Sequence, residues 1–212
     1  TLFKGSSQKL QSYASNAYKT AGLSANDYME TVTGFSASLI QSLGGDTDKS
    51  VKYADMAITD MADNANKMGT DMSLIQNAYQ GFAKQNYTML DNLKLGYGGT
   101  KEEMQRLLSN AEKISGIKYD ISSYADVVDA IHVMQESMDI AGTTAKEAEG
   151  TISGSVNALK SSVTNLVVGF GDANADLGEL CENVVTAFQT VLENISPIVE
   201  NLISALPTVI TT

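Results

Sequence analysis

Apolar residues along this chain recur by threes and fours, the spacing that collects them on one stripe of an α-helix. Val51, Ala54, Ile58, Met61, Ala65 and Met68 make one such stripe, with Asp55, Asp60 and Asp63 falling away from it and Gly69 as its stop. A second stripe, Met104, Leu107, Leu108, Ala111 and Ile114, follows Thr100, whose hydroxyl is placed to cap the first turn while Glu103 reaches back. Gly116 closes it. Tyr124, Val127, Ile131, Met134 and Met138 make a third, running to Gly142. A fourth is predicted to start in a capping box at Thr144 and Glu147 and to continue through Val156, Leu159, Val163, Leu166 and Phe170.

Earlier in the chain, Leu23-Ser24-Ala25-Asn26-Asp27 reads as a helix start, with Tyr28 to Leu43 following and Gly34 weakening it. Gly44-Gly45 and Gly96-Tyr97-Gly98-Gly99 read as connectors, and no strand alternation survives beside the helical stripes. From Leu177 onward, Leu180, Val184, Phe188, Val191, Ile195, Ile198, Leu202 and Leu206 approach a heptad seam. A lone helix cannot bury such a seam. Leu177, Leu180, Val184, Phe188, Val191, Ile195, Ile198 and Leu202 are therefore the candidate oligomerisation seam, to be met by another copy or by downstream sequence. Pro197 is expected to kink or break this helix, or to restart it with Ser196 as the cap.

The fold these patterns predict is all-α, several short helices packed as a bundle followed by a long amphipathic C-terminal helix or helix pair. Residues 1–155 are expected to form the helical core region, and 156–212 an amphipathic extension toward a missing downstream part. The chain opens at Thr1 without an initiator methionine, which reads as a piece of a longer protein.

Composition narrows the partners. Charged residues are only 18% of the chain, yet its net charge is −11, and after Lys160 it carries six carboxylates and no cation. With the lysines scattered singly among acids, a grip on the phosphates of nucleic acid is disfavoured. The single cysteine, Cys181, rules out an intrachain disulfide and fits synthesis in a reducing cytoplasm. No secretory signal opens the chain. Val184 to Ile210 is rich in Val, Leu and Ile, but Glu193, Glu200 and two prolines interrupt it, so it does not read as a free-standing membrane span. Lying flat on a membrane would set an acidic polar face where surface helices are usually basic.

Catalytic and metal-binding patterns fail one by one. His132 is the only histidine and has no recognisable nucleophile to serve, so it reads as a polar residue on a helix flank. Nothing basic lies near Cys181 in sequence to lower its pKa, and it reads as a core or seam packing residue. The Gly96 to Thr100 stretch lacks the Gly-Lys-Ser/Thr of a phosphate loop. Asp172, Asn174 and Asp176 are spaced like calcium ligands, but Leu177 stands where glycine is needed and Asn183 where glutamate is needed. Asp172 and Asp176 are expected instead in the first turns of the last helix. Asp46 and Asp48 fail the same pattern at Val51 and Ala57. Met56, Met61, Met68, Met134 and Met138 read as core. The expectation is a protein with no enzymatic activity, no cofactor and no metal.

Longer stretches carry a resemblance. Tyr53-Ala54-Asp55-Met56-Ala57-Ile58-Thr59-Asp60-Met61-Ala62-Asp63-Asn64-Ala65-Asn66-Lys67-Met68-Gly69, Gln76-Asn77-Ala78-Tyr79-Gln80-Gly81-Phe82-Ala83-Lys84-Gln85-Asn86-Tyr87 and Asn92-Leu93-Lys94-Leu95-Gly96-Tyr97-Gly98-Gly99-Thr100-Lys101-Glu102-Glu103-Met104 closely resemble the core region of tail tape measure proteins of phages and prophages of Gram-positive bacteria. Ala130-Ile131-His132-Val133-Met134-Gln135 agrees, and Thr151 to Phe170 is similar to the end of that region, without the Trp the family often has near Lys160 to Val163. The resemblance covers roughly residues 20 to 171. It implies a mostly helical virion component, made in the host cytoplasm and packed in a few copies in the tail lumen. There it would help set tail length while the tube assembles, with tail tube and tail assembly chaperone proteins as partners. It would leave the tail at DNA ejection, where an alternative role is a membrane-active segment aiding DNA passage through the host envelope. Residues 20 to 155 look folded back on themselves, so a measuring stretch is expected to begin no earlier than the seam after Leu177.

Overall fold

Caps and glycines decide where the helices of this chain start and stop. The computed structural model describes residues 3–210, with side chains for Phe3 and from Gly5 to Ser204. Among them are ten α-helices and no strand: α1 (Ser7–Thr20), α2 (Ala25–Thr33), α3 (Ser36–Ser42), α4 (Thr47–Met68), α5 (Met72–Phe82), α6 (Lys101–Ser115), α7 (Tyr124–Ser137), α8 (Thr143–Gly150), α9 (Ile152–Gly169) and α10 (Leu177–Ile210). Single 3-10 turns stand at Lys4–Ser6 and Leu90–Leu93. Ser24, Asp46, Asp71, Thr100, Ser123 and Thr151 each accept a hydrogen bond from a backbone N–H of the helix they precede, as N-caps do. Gly69 and Gly116 end α4 and α6 in the left-handed conformation, as expected of them.

The core is built around α4, which touches α1, α2, α3, α5, α7 and α8. Its predicted stripe is the buried one: Val51, Ala54, Ile58 and Met61 are buried, and Ala65 and Met68 pack partly against the same core. Tyr28, Leu39, Tyr79, Phe82, Leu93, Met104, Leu107, Val127 and Ile131 close over it from the other helices. Met61 and Met134 are core residues as expected, whereas Met138 is exposed.

Several boundaries differ from the sequence pattern. The Tyr28 to Leu43 stretch is two helices, α2 and α3, broken at Gly34, where a Cβ would strike the Gln80 amide of α5. The third stripe ends with Ser137 and does not reach Gly142. The fourth is divided at Thr151, whose extended backbone and hydroxyl, bonded to the Gly154 N–H at 3.0 Å, start α9 afresh. Thr144 is no cap. It lies inside the first turn of α8, whose free N–H groups bond to Asp63 of α4. A division between residues 155 and 156 falls inside α9. That helix is tied to the α1–α2 connection through Asn165 Oδ1, which accepts from the Ala25 N–H, and Ser161 Oγ, which donates to the Gly22 carbonyl. Asp172 precedes α10, while Asp176 caps it by accepting from the Glu179 N–H at 3.0 Å.

Candidate assembly surface

α9 and α10 form an antiparallel hairpin, and its register follows from three contacts. Gly169 lies against Leu180, where a Cβ would meet the leucine Cδ1. Ala158 and Ala187 share a small cluster with Tyr18 and Ala148. Asn194 Nδ2 donates to the carbonyls of Glu149 and Thr151, at 3.1 Å each, where α8 hands over to α9. Small residues at 158, 169 and 187 let the two backbones come close, as ridge-and-groove packing favours. The Tyr18 hydroxyl donates to Asn183 Oδ1 at 3.0 Å and fastens α10 to α1.

This hairpin redistributes the predicted seam. Val191 is buried, and Leu180, Val184 and Ile195 are partly buried, so these four face the rest of the same chain. Ala187, a position the heptad reading skipped, takes the place expected for Phe188, which is 50% exposed. Leu177, Ile198 and Leu202 are exposed as well. Leu206 and Pro207 lie outside the described side chains. Leu180, Val184, Val191 and Ile195 of the seam thus have an intrachain partner, the antiparallel α9, whereas Leu177 and Phe188 stay exposed. Pro197 neither breaks nor restarts the helix: α10 runs through it, and Ser196 bonds to Glu200 without capping anything.

What stays uncovered is the outer side of the hairpin. Val156, Val163, Val167 and Phe170 of α9 and its end, with Leu177, Val185, Phe188, Leu192, Ile198, Val199, Leu202 and Ile203 of α10, are all exposed. Single exposed apolar residues are ordinary, but a contiguous set marks an interaction surface. No described helix is long and apolar enough to cross a membrane.

The chemistry-bearing residues other than Cys181 lie elsewhere. Asp60, expected on the polar side of α4, is buried and pairs with His132 of α7, whose Nδ1 sits 2.9 Å from Asp60 Oδ1, while Nε2 is 3.4 Å from Glu136. Burial pushes the Asp60 carboxyl up to about 6, and its hydrogen bond to Asp60 raises the His132 imidazole. Tyr79, Tyr124 and Gln135 are buried near this pair. Asp55, also expected outward, accepts from the Tyr28 hydroxyl at 2.9 Å. Cys181 is exposed on α10, one heptad before Phe188, and does not pack in the core. A cleft of about 410 Å³ between the α1–α2 turn, α4, α8 and α9 is lined by neither His132 nor Cys181. Among the described residues no group of His, Cys, Asp and Glu is placed to hold a metal ion.

Comparison with models of known protein families, with curated proteins and with solved structures finds no match.

Proposed function

We propose that this chain is a segment of the tail tape measure protein of a long-tailed phage or prophage. In this reading it is a structural component without catalytic activity that associates in a few copies in the tail lumen. Tail tube and tail assembly chaperone proteins are its partners, and it helps set tail length.

The observation that carries the reading is the ordered run of stretches from Tyr53 to Phe170 that resemble the core region of that family. Two features of the fold support it. The resembling stretches supply the centre of the bundle, from Ile58 and Met61 through Tyr79, Phe82 and Leu93 to Ile131, so their order and spacing coincide with one packed core. The chain also joins a folded-back head to a single long helix, and only extended helix converts residue number into distance, at about 1.5 Å each. The 34 residues of α10 would span about 51 Å, whereas the helices before α9 add little length.

Mass spectrometry of purified tails tests the assignment. Peptides from residues 47–170 are expected in intact tails, in a few copies per tail, with antibody access only after the tube is opened. Tails free of these peptides would overturn the reading.

A further inference from the structure

The outer side of the α9–α10 hairpin is one continuous apolar face. At 3.6 residues per turn, residues two apart point to nearly opposite sides of a helix. On α9, Ser161 and Asn165 bond to the α1–α2 connection, so Val163 between them points away from the body. On α10, Asn183 bonds to Tyr18, so Val185 points away in the same sense. Val156, Val163, Val167 and Phe170 continue the first stripe, and Val185, Phe188, Leu192, Val199 and Leu202 the second, all exposed and at heptad spacing. Phe170 and Val167 are 69% and 61% exposed, and Leu202 is 64% exposed.

Charge on the two edges of this face selects its occupant. The edge formed by α9 carries Lys160, the last cation of the chain, and the edge formed by α10 carries Glu182, Glu193 and Glu200. The hairpin register places Lys160 near the level of Thr186 and Ala187, between Glu182 and Glu193. If a copy is turned about a twofold axis parallel to the helices, α9 of each lies over α10 of the other. The basic edge then meets the acidic edge at the same level. Turning it about an axis across the helices would set glutamates against glutamates. The area is also sufficient: a two-helix face about 27 Å by 20 Å, with the α10 overhang beyond Asn194, gives a footprint on the order of 700 Å², near the ~800 Å² per partner of stable interfaces.

We infer that a second copy of this chain covers the outer face of the α9–α10 hairpin, in a parallel twofold dimer whose two α10 overhangs project from the same end. The inference rests on the assembly reading above for its context, but its test is read on the isolated chain, so either can fail without the other. Beyond Asn194 the two overhangs no longer have α9 beside them. Their Val199 and Leu202 positions can then close on each other as a parallel pair.

Sedimentation of residues 1–212 is expected to give twice the 22.5 kDa of one chain. Val167→Glu with Phe188→Glu should return it to one chain with its helix content unchanged, since both side chains are exposed. Ile117→Glu, an exposed apolar site away from the hairpin, should leave the dimer intact. Lys160→Glu should weaken association at least tenfold. Orientation is read separately, without relying on those variants: with Cys181→Ser and Leu202→Cys, mild oxidation should link two chains, which a crosswise arrangement would prevent. A monomer at 100 µM, an association that Ile117→Glu disrupts equally, or no crosslink would overturn the proposal. So would a monomer that binds phosphatidylglycerol vesicles through Val167 and Phe188, which would assign the face to lipid.

Discussion

The carboxylate of Asp63, buried in α4, accepts a hydrogen bond from the Thr144 N–H at 2.8 Å across 81 residues of sequence, and another from the Gly142 N–H. The first turn of α8 has no side-chain cap of its own, and Asp63 supplies the acceptor that its exposed backbone donors require. One aspartate on the central helix thereby fixes where the chain re-enters after α7.

Asp63→Ala strands both N–H groups in a partly buried site and should cost about 1–3 kcal/mol. Urea unfolding of the variant is expected to show an earlier midpoint with an unchanged slope. Asp63→Asn retains one acceptor oxygen and should lose about half as much.

The Asp60–His132 pair makes stability depend on pH. Both groups have folded pKa values above their ordinary ones, Asp60 at about 6 and His132 above 6.5, so each favours the folded state when protonated. That stability is present below pH 4 and is lost from Asp60 as pH rises toward 6, and from His132 as pH rises past its folded value. Asp63, Asp129 and Glu136 share the site and add to the retention of protons there. Between pH 5 and pH 8 the melting temperature should fall by about 2–6 °C, the response of a chain this size to roughly 1–2 kcal/mol. Asp60→Asn should remove most of that slope in a calorimetric series.

Gly154 marks where α9 passes α8. A Cβ there would strike the backbone of Glu147, which cannot give way as a side-chain end would. Gly154→Ala should therefore destabilise by on the order of 2 kcal/mol or more, although alanine is the better helix former. Gly150→Ala, with open space around it, serves as the control and should be neutral or mildly stabilising.

Hydrogen exchange should divide α10 in two under dilute conditions. Residues 180–194, held by Tyr18 and by the carbonyls of Glu149 and Thr151, are expected to be protected. Residues 196–204, exposed throughout, should exchange at least tenfold faster. Raising the protein concentration should slow the second group if the overhangs pair.

Much of this fold is legible in the pattern of threes and fours. The α4 stripe from Val51 to Met68, the Thr100 cap and the stops at Gly69 and Gly116 follow from local chemistry alone. What local chemistry could not place are contacts between distant residues. Asp60 and Asp63 have the spacing of a solvent face, and only the approach of α7 and α8 makes them buried partners. Phe188 fits a heptad better than Ala187 does, yet α9 lies too close for a phenylalanine, so the smaller residue faces inward and the larger one outward. Ala158, Gly169 and Ala187 are the available sign of a close helix pair.

The central claim, a structural role in setting tail length, is tested most directly by electron microscopy of tails made after disruption of the gene encoding this chain, with the intact gene restored as control. Tails are predicted to be absent or of irregular length without it and of one uniform length when it is restored. Uniform tails of normal length in the disrupted strain would contradict the account, and such tails that attach but fail to deliver DNA would point to a role at the envelope.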